Sequence, residues 1–192
     1  MSRYPLVPLG EVLTPVRDEV PVELDHTYRT AGIYSFGRGL FARSPIAGAD
    51  TKYTTLFRLH EGQFVYSRLF AWEGALAMVT PGFDGMYVSQ EFPTFDINRS
   101  RAEPAYLAWL CRWDRFWESL HVGTKGLGLR RQRVHPDRLL AVQVPLPSLD
   151  EQRRLGSLGQ RVHELGERAD QSATILGALV PSVANAALQG NL

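Results

Sequence analysis

The sequence has little of several features that would narrow its class. Its 192 residues include one cysteine, so no disulfide can form within the chain. No apolar run is long enough to span a membrane, and the opening MSRYPLVPLGEVL lacks the apolar core of a signal peptide. Charges nearly cancel, with 21 Lys and Arg against 20 Asp and Glu. Because 44% of the residues are hydrophobic, we expect a cytoplasmic globular protein with a sizeable core and no membrane association.

Catalytic and ligand-binding signatures are also scarce. The histidines are scattered without metal-ligand spacing, and Cys111 lies in an aromatic segment, which is more typical of a core residue than of a nucleophile. No Gly-x-Gly-x-x-Gly signature is present, so methyl transfer would have to come from a partner. Asp50 and Lys52 have the Asp-x-Lys spacing of metal-dependent nucleases, but no strand-borne acidic residue precedes them. We therefore predict a non-catalytic chain that holds no metal or cofactor of its own.

Residues 1–147 predict one mixed domain of α+β class. Short segments rich in β-branched and aromatic residues are separated by glycine and proline, which is typical of a mainly antiparallel sheet. A tight connection at Asp84-Gly85 predicts that 74–80 and 86–97 pair as a hairpin.

An aromatic-rich stretch, AEPAYLAWLCRWDRFWESLH (102–121), changes to the helical period. Pro104 is suited to a first helical position, and bulky residues recur at helical spacing. We predict one helix, largely buried against the sheet. Its aromatic rings are expected to belong to the core and not to a surface that stacks nucleotides.

Residues 148–192 predict a long C-terminal helix that forms a coiled coil, here called the arm. Ser148 and Glu151 have the spacing of a capping box, in which each side chain accepts a hydrogen bond from the other residue's amide. Hydrophobic residues then repeat with a period of seven, which is typical of a helix that buries one stripe against another helix. The predicted dimer-interface residues are Leu155, Leu158, Val162, Leu165, Leu176 and Leu179.

The arm also contains residues that weaken a helix. Gly156, Gly159, Gly166 and Gly177 each cost about 1 kcal/mol relative to alanine, so we expect the arm to need a partner. Pro181 predicts a bend or an end of the helix roughly one turn earlier.

A local excess of positive charge, KGLGLRRQR (125–133), is hidden by the near-neutral total. Its glycines allow the backbone to approach a phosphate closely, but it lacks the Walker spacing of a nucleotide-binding loop. The alternatives are a DNA-facing loop and a solvated loop whose arginines aid solubility. If the loop faces DNA, the contacting residues are Lys125, Arg130, Arg131 and Arg133.

Other candidate DNA contacts lie in the turn-rich sequence FGRGLFARSPIAGADTKY (36–53), because side chains on loops can reach base edges or backbone. These candidates are Arg38, Arg43, Lys52 and Tyr53. Arg68, in YSRLFAW, is either a further DNA contact or a structural residue paired with Glu73 or Glu91.

Several segments in this order, PLGEVL, GIYSFGRGLFAR, the block from Gly62 to Ile97, PLPSLDEQRRL and LVPSVANAALQG, resemble the specificity subunit of type I restriction-modification systems. The resemblance covers nearly the whole chain. It implies that residues 1–147 are a target recognition domain that binds double-stranded DNA. It also implies that residues 148–192 space such domains and dock a methyltransferase subunit and, in some systems, a restriction subunit. The chain itself would be non-catalytic, with S-adenosylmethionine bound by the partner methyltransferase.

Members of that family usually carry two recognition domains and two helical regions, whereas this sequence has one of each and no internal repeat. We therefore predict a half subunit that pairs with a copy of itself through the arm, presenting two identical domains to a split DNA site. The resemblance implies antiparallel arms. The alternatives are a partner for a longer specificity subunit and a piece of a longer chain. A different class of function also fits the residues, namely a helical interaction module whose sheet domain binds protein and not DNA.

Overall fold

The computed structural model describes residues 4–121 and 133–188, with the backbone alone described at 167, 176, 178 and 180–188. Three candidate contacts, Lys125, Arg130 and Arg131, therefore lie outside the described residues. The strands of the described part are β1 (Leu6–Pro8), β2 (Leu13–Val16), β3 (Glu19–Pro21), β4 (Thr27–Tyr28), β5 (Ala31–Ile33), β6 (Leu40–Ala42), β7 (Ile46–Ala47), β8 (Thr55–Arg58), β9 (Phe64–Tyr66), β10 (Leu76–Met78), β11 (Tyr87–Val88), β12 (Thr94–Ile97) and β13 (Gln143–Pro145). The helices are α1 (Pro104–Leu110), α2 (Asp114–Ser119), α3 (Pro136–Ala141) and α4 (Leu149–Leu188).

The strands pair antiparallel in two main sheets and three two-stranded ribbons. The larger sheet has the order β10-β9-β12-β2, and the smaller has the order β11-β8-β3. β1 pairs with β13, β4 with β7 and β5 with β6. The first of these pairs sets Leu6 opposite Pro145, so it ties the start of the chain to the segment that leads into α4. The predicted α+β class, with a mainly antiparallel sheet domain and a long C-terminal helix, is confirmed.

The predicted hairpin between 74–80 and 86–97 is wrong. β10 pairs instead with β9, where Ala77 lies opposite Val65, while β11 pairs with β8 and β12 pairs with β9 and β2. Gly74 adopts the left-handed conformation that reverses the chain between β9 and β10. Short apolar segments carry no local signal for their partner, so the burial of Val65 and Ala77 decides the pairing.

The core has two parts, on opposite faces of β9. In the larger part, Phe64, Tyr66 and neighbouring strands pack against side chains of α1, α2 and α3. In the smaller part, Val65 packs with Ala77 and Val88. Because successive side chains of a strand point to opposite faces, β9 is buried on both sides and forms the centre of the domain.

The aromatic-rich stretch forms two helices, where one was predicted. α1 does begin with Pro104, as predicted, but a break at 111–113 separates it from α2, and Trp113 has extended backbone angles. Trp109 and Trp113 are each 37% exposed, so the stretch is less buried than expected. Cys111 lies in the break with its side chain buried, and burial raises the pKa of its thiol to about 12. The predicted core position of this cysteine is confirmed.

α4 begins as the capping box predicts and continues further than expected. The Glu151 amide donates to Ser148 Oγ at 3.4 Å, while the Glu151 carboxylate accepts hydrogen bonds from Tyr4 and Arg154. The helix continues through Pro181, so of the two outcomes predicted for this proline, an end of the helix is excluded. Its 40 residues correspond to a length of about 60 Å.

The first turns of α4 pack against α1 of the same chain. A Cβ atom added to Gly156 would come within 2.8 Å of Ala105, and one added to Gly159 would come within 2.5 Å of the Trp109 ring. These two glycines therefore weaken α4 as an isolated helix, but they also allow it to pack closely against α1. Leu155, a predicted dimer residue, is partly buried against the core of its own chain. The first turns of the arm are thus stabilised by α1 of the same chain and not by a second copy.

A fully buried glutamine joins α4 to the domain. Gln152 is 0% exposed, and its Oε1 accepts a hydrogen bond from the Glu103 amide at 2.9 Å. Its Nε2 donates to the carbonyl oxygens of Arg101 at 3.0 Å and Pro147 at 2.9 Å. The side chain thus links the segment before α1 to the segment before α4, and its hydrogen-bonding capacity is nearly filled.

Candidate functional site

Three adjoining clefts form one continuous concavity on the sheet domain, called here the basic groove. The clefts have volumes of about 390, 410 and 380 Å³. Tyr53 lines the first and the second, and Arg17 and Gln90 line the second and the third. Among the described residues, four basic side chains line the groove, namely Arg17, Arg43, Lys52 and Arg68.

Short local contacts position the side chains at one end of the groove. Arg43 directly follows β6, and its amide donates to the Thr30 carbonyl at 2.8 Å. Lys52 and Tyr53 follow a 3-10 turn at Gly48–Asp50. Gly48 approaches the chain at Glu23 so closely that a Cβ atom would overlap the Glu23 carbonyl. The turn therefore requires glycine, and it holds the loop that carries Lys52 and Tyr53.

Arg68 is a partly buried residue that lines the groove. Its amide donates to the Glu91 carbonyl at 2.9 Å and its carbonyl accepts from the Val134 amide at 2.8 Å, so the backbone is fixed on both sides. Among the described residues its buried Nε has no hydrogen-bond partner, and no ion pair joins it to Glu73 or Glu91. The structural pairing considered for Arg68 is therefore not found in the described part. A buried donor without a partner is unfavourable in the free protein.

Arg133 differs from the other candidates because its charge is already paired. Its Nε lies 3.0 Å from the nearer carboxylate oxygen of Glu91, and this hydrogen bond raises the pKa of the guanidinium. The side chain remains about half exposed. A phosphate that contacted Arg133 would therefore compete with Glu91.

Arg38 lies outside the groove. Its guanidinium stacks over the Tyr34 ring at 4.7 Å, and its Nε donates to the Ser35 carbonyl at 3.0 Å. It faces α4 across a separate cleft that also contains Val162. The structure thus brings together Arg43, Lys52, Tyr53 and Arg68, but it does not bring Arg38 to the same site.

Sequence reasoning missed two groove residues, Arg17 and Gln90. Arg17 follows β2 and lies 3.9 Å from Glu19, and Gln90 precedes the Glu91 that pairs with Arg133. Neither residue belongs to a recognisable motif. Their positions next to the other basic residues result from the pairing of strands that are distant in sequence.

The chemistry of the groove is that of a polyanion site. Its cationic side chains outnumber the acidic lining residues, Glu19 and Asp137, while Tyr53, Tyr87 and Phe92 add aromatic surface. No group of three His, Cys, Asp or Glu side chains in the described part of the chain is arranged to hold a metal ion. Arginine, lysine and glutamine donors next to aromatic rings suit phosphates and base edges.

One face of α4 is open beyond its contact with α1. The exposed members of the predicted heptad repeat, called here the open stripe, are Leu158, Val162, Leu165 and Leu179, between 50% and 64% exposed. The side chain of Leu176 is not among the described ones. None of the helices in the described residues is apolar and long enough to cross a bilayer.

Comparisons with protein-family models and with curated proteins find no match for this sequence. Solved structures do match. The HsdS subunit from Thermoanaerobacter tengcongensis superposes with a TM-score of 0.70 at 24% identity, covering 90% of this chain and 44% of the other. A chain from a study of complex assembly and conformational transition of the type I R-M system gives 0.69 at 23% identity, covering 91% and 46%.

The S subunit of a type I restriction-modification system from M. genitalium is similar with a TM-score of 0.54 at 12% identity, covering 90% of this chain and 41% of the other. This chain thus spans less than half the length of the chains it matches. Over about 90% of its residues, it has the fold of the HsdS subunits of type I restriction-modification systems.

Proposed function

We propose that this chain is a DNA-recognition subunit of a type I restriction-modification system. The observation that carries the proposal is the basic groove, located on the sheet domain of a chain with the HsdS fold. Arg17, Arg43 and Lys52 contact phosphates, because their cationic ends are exposed along the groove. Arg68 and Gln90 line the same groove, and their side-chain donors are of the kind that bind base edges of a duplex.

The proposed chain contributes recognition and no chemistry. S-adenosylmethionine binds the partner methyltransferase subunit, and a restriction subunit, where the system has one, joins through the same assembly. The described residues hold no metal-binding cluster, and in the nuclease-like triplet the exposed Asp50 ends a 3-10 turn that Lys52 follows.

In the proposed assembly, two copies pair through the open stripe of α4. Four hydrophobic side chains at least half exposed on one helix face would be unfavourable in water, and a second copy of the same stripe would cover them. A two-fold dimer carries two identical basic grooves, so its DNA site consists of two identical half-sites in inverted orientation.

Salt dependence of binding to duplex DNA tests the proposal. Replacing Arg17, Arg43 and Lys52 together by glutamine is expected to flatten the plot of log affinity against log salt by about 0.9 for each lost phosphate contact. Arg115→Gln is the matched control, since Arg115 is an exposed arginine on α2 outside the groove. Binding is measured by fluorescence anisotropy between about 50 and 200 mM salt, a range over which affinity for DNA changes by orders of magnitude.

The outcomes separate the two classes of function. Equal slopes for the wild type and the triple variant would reject the groove as the DNA surface. Absence of salt-dependent DNA binding by the wild type would reject DNA recognition and favour the protein-interaction module.

A further inference from the structure

An ion pair next to the basic groove joins Glu91 to Arg133. The Arg133 Nε lies 3.1 Å from Glu91 Oε1 and 3.0 Å from Oε2, so it donates to both carboxylate oxygens. Glu91 directly follows Gln90, which lines the groove. The Glu91 side chain is 19% exposed and the Arg133 side chain is 49% exposed. The carboxylate is therefore largely covered by the domain, while the guanidinium remains open to solvent.

Backbone hydrogen bonds fix both members of this pair. The Glu91 carbonyl accepts from the Arg68 amide at 2.9 Å. The residue after Arg133, Val134, is 0% exposed. Its amide donates to the Arg68 carbonyl at 2.8 Å, and its carbonyl accepts from the buried Tyr66 hydroxyl at 2.9 Å. Most exposed ion pairs are weak in part because two long side chains must be ordered to form them. Here the anchored backbone supplies part of that order.

The cations that we assign to phosphates are not paired in this way. In the described part of the chain, no ion pair joins Arg43 or Lys52 to a carboxylate. Arg17 lies 3.9 Å from Glu19, and both side chains are more than half exposed. These three cations can therefore turn toward a phosphate at little cost, whereas Arg133 is already neutralised.

A phosphate that approaches Arg133 also meets the Glu91 carboxylate. If the pair stays together, its net charge is zero, and the phosphate is repelled by one member as it is attracted by the other. If the phosphate displaces Glu91, a largely covered carboxylate is left without its cation beside a polyanion. Both routes remove much of the gain from a new phosphate contact.

We propose that Glu91 keeps Arg133 from contacting DNA phosphates and thereby limits the affinity of this chain for DNA that lacks its recognition site. The inference rests on the proposed DNA-recognition function and adds a residue that restrains it. Phosphate contacts are made to every sequence alike, while base contacts carry the specificity. With one phosphate contact fewer, base contacts form a larger share of the binding free energy. That share matters because DNA without the recognition site is present in large excess.

Neutralising each member of the pair tests the proposal. Glu91→Gln keeps the size of the side chain and removes its charge, Arg133→Gln removes the cation, and a double variant removes both. Binding of the full chain to a fluorescent random-sequence duplex is measured by anisotropy between about 50 and 200 mM salt. None of the three variants changes the backbone hydrogen bonds of Glu91 and Val134, so the thermal midpoints should stay close to that of the wild type.

Glu11→Gln is the matched control. Glu11 forms an ion pair with Arg101, with 2.6 Å between Oε2 and Nη1, and neither residue lines the three clefts of the groove. The substitution removes the same charge from the same kind of pair, so a general effect of net charge would appear in it equally. We expect it to leave the salt dependence unchanged.

Glu91→Gln is expected to steepen the plot of log affinity against log salt by about 0.9, the value for one additional phosphate contact. Between about 50 and 200 mM salt, its affinity should then fall about threefold more than that of the wild type. Arg133→Gln alone should leave the slope unchanged, because the paired guanidinium neutralises no phosphate. The double variant should match Arg133→Gln.

Four results would overturn the proposal. The first is an unchanged slope for Glu91→Gln, and the second is a flatter slope for Arg133→Gln alone, which would mean that Arg133 already contacts a phosphate. The third is a Glu91→Gln effect that persists in the double variant, and the fourth is an equal effect of Glu11→Gln; either would assign the change to charge in general. In all four the wild type still binds DNA, so the proposed function stands. A wild type without salt-dependent binding would reject that function and this inference with it.

Discussion

Replacing Gln152 is expected to loosen the joint between the arm and the domain. In Gln152→Leu, the Glu103 amide and the carbonyl oxygens of Arg101 and Pro147 lose their partner inside the protein. Each buried polar group left without a partner costs about 1–3 kcal/mol, and leucine recovers part of this through its own burial. We expect a net loss of about 3 kcal/mol in the free energy of unfolding. For a chain of this length, that corresponds to about 6–12 °C in Tm.

Gln152→Glu tests the direction of the hydrogen bonds. One carboxylate oxygen can still accept from the Glu103 amide, but the other faces two carbonyl oxygens and needs a proton to donate. Burial and these acceptors raise the pKa of the new carboxyl above the value of about 4.3 expected in the unfolded chain. A raised folded-state pKa means that stability is retained below about pH 4.3 and is lost as the pH rises through the folded-state value. The variant should therefore be closer to the wild type at pH 5 than at pH 8.

Urea unfolding followed by tryptophan fluorescence measures both effects. Gln160→Leu and Gln160→Glu are matched controls, because Gln160 is exposed on the same helix. A loss for Gln152→Leu no larger than that for Gln160→Leu would refute the role assigned to Gln152 in joining α4 to the domain. A pH-independent loss for Gln152→Glu would refute the assigned hydrogen-bond pattern.

The remaining predictions concern the arm and the core. Leu158→Lys with Leu165→Lys should convert the dimer to a monomer in light scattering while the thermal midpoint of the domain is retained, because both side chains are more than half exposed; a persistent dimer would exclude the open stripe. Deleting 166–172, which lies beyond the contact with α1, should shorten each arm by about 10 Å. In methylation mapping with the partner methyltransferase, the spacer should then shorten by about three base pairs in all, at ~3.4 Å per pair, because antiparallel arms lie side by side and hold the domains one arm length apart; the half-site bases should be unchanged. Altered bases with the same spacer would contradict the assignment of arm and domain. Cys111 should resist iodoacetamide at pH 8 in the folded protein and react in urea, since burial holds its thiol pKa near 12; rapid alkylation of the folded protein would contradict the core position.

Features with a local physical cause could be predicted from the sequence. The heptad repeat and the Ser148 cap predict α4, because helix periodicity and capping depend on residues a few positions apart. The same holds for the start of α1 at Pro104 and for the antiparallel character of short strands separated by turns. The sequence did not predict which element each helix or strand packs against. Gly156 and Gly159 weaken an isolated helix, but α1 uses their lack of a side chain for close packing.

The candidate site was decided by tertiary structure. Arg17, Arg43, Lys52, Arg68 and Gln90 are spread over more than seventy residues of sequence, and strand pairing brings them to one groove. The sequence predicted three of these as DNA contacts, namely Arg43, Lys52 and Arg68. It also predicted Arg38 as a contact at the same surface. The sequence does not show that Arg38 lies outside the groove. Arg38 and Arg43 are at opposite ends of the β5–β6 ribbon, and these two ends lie at different surfaces. Helix periodicity depends on residues a few positions apart, so it can be recognised in the sequence. The pairing of distant strands depends on how the whole core is buried, and no local sequence pattern specifies it.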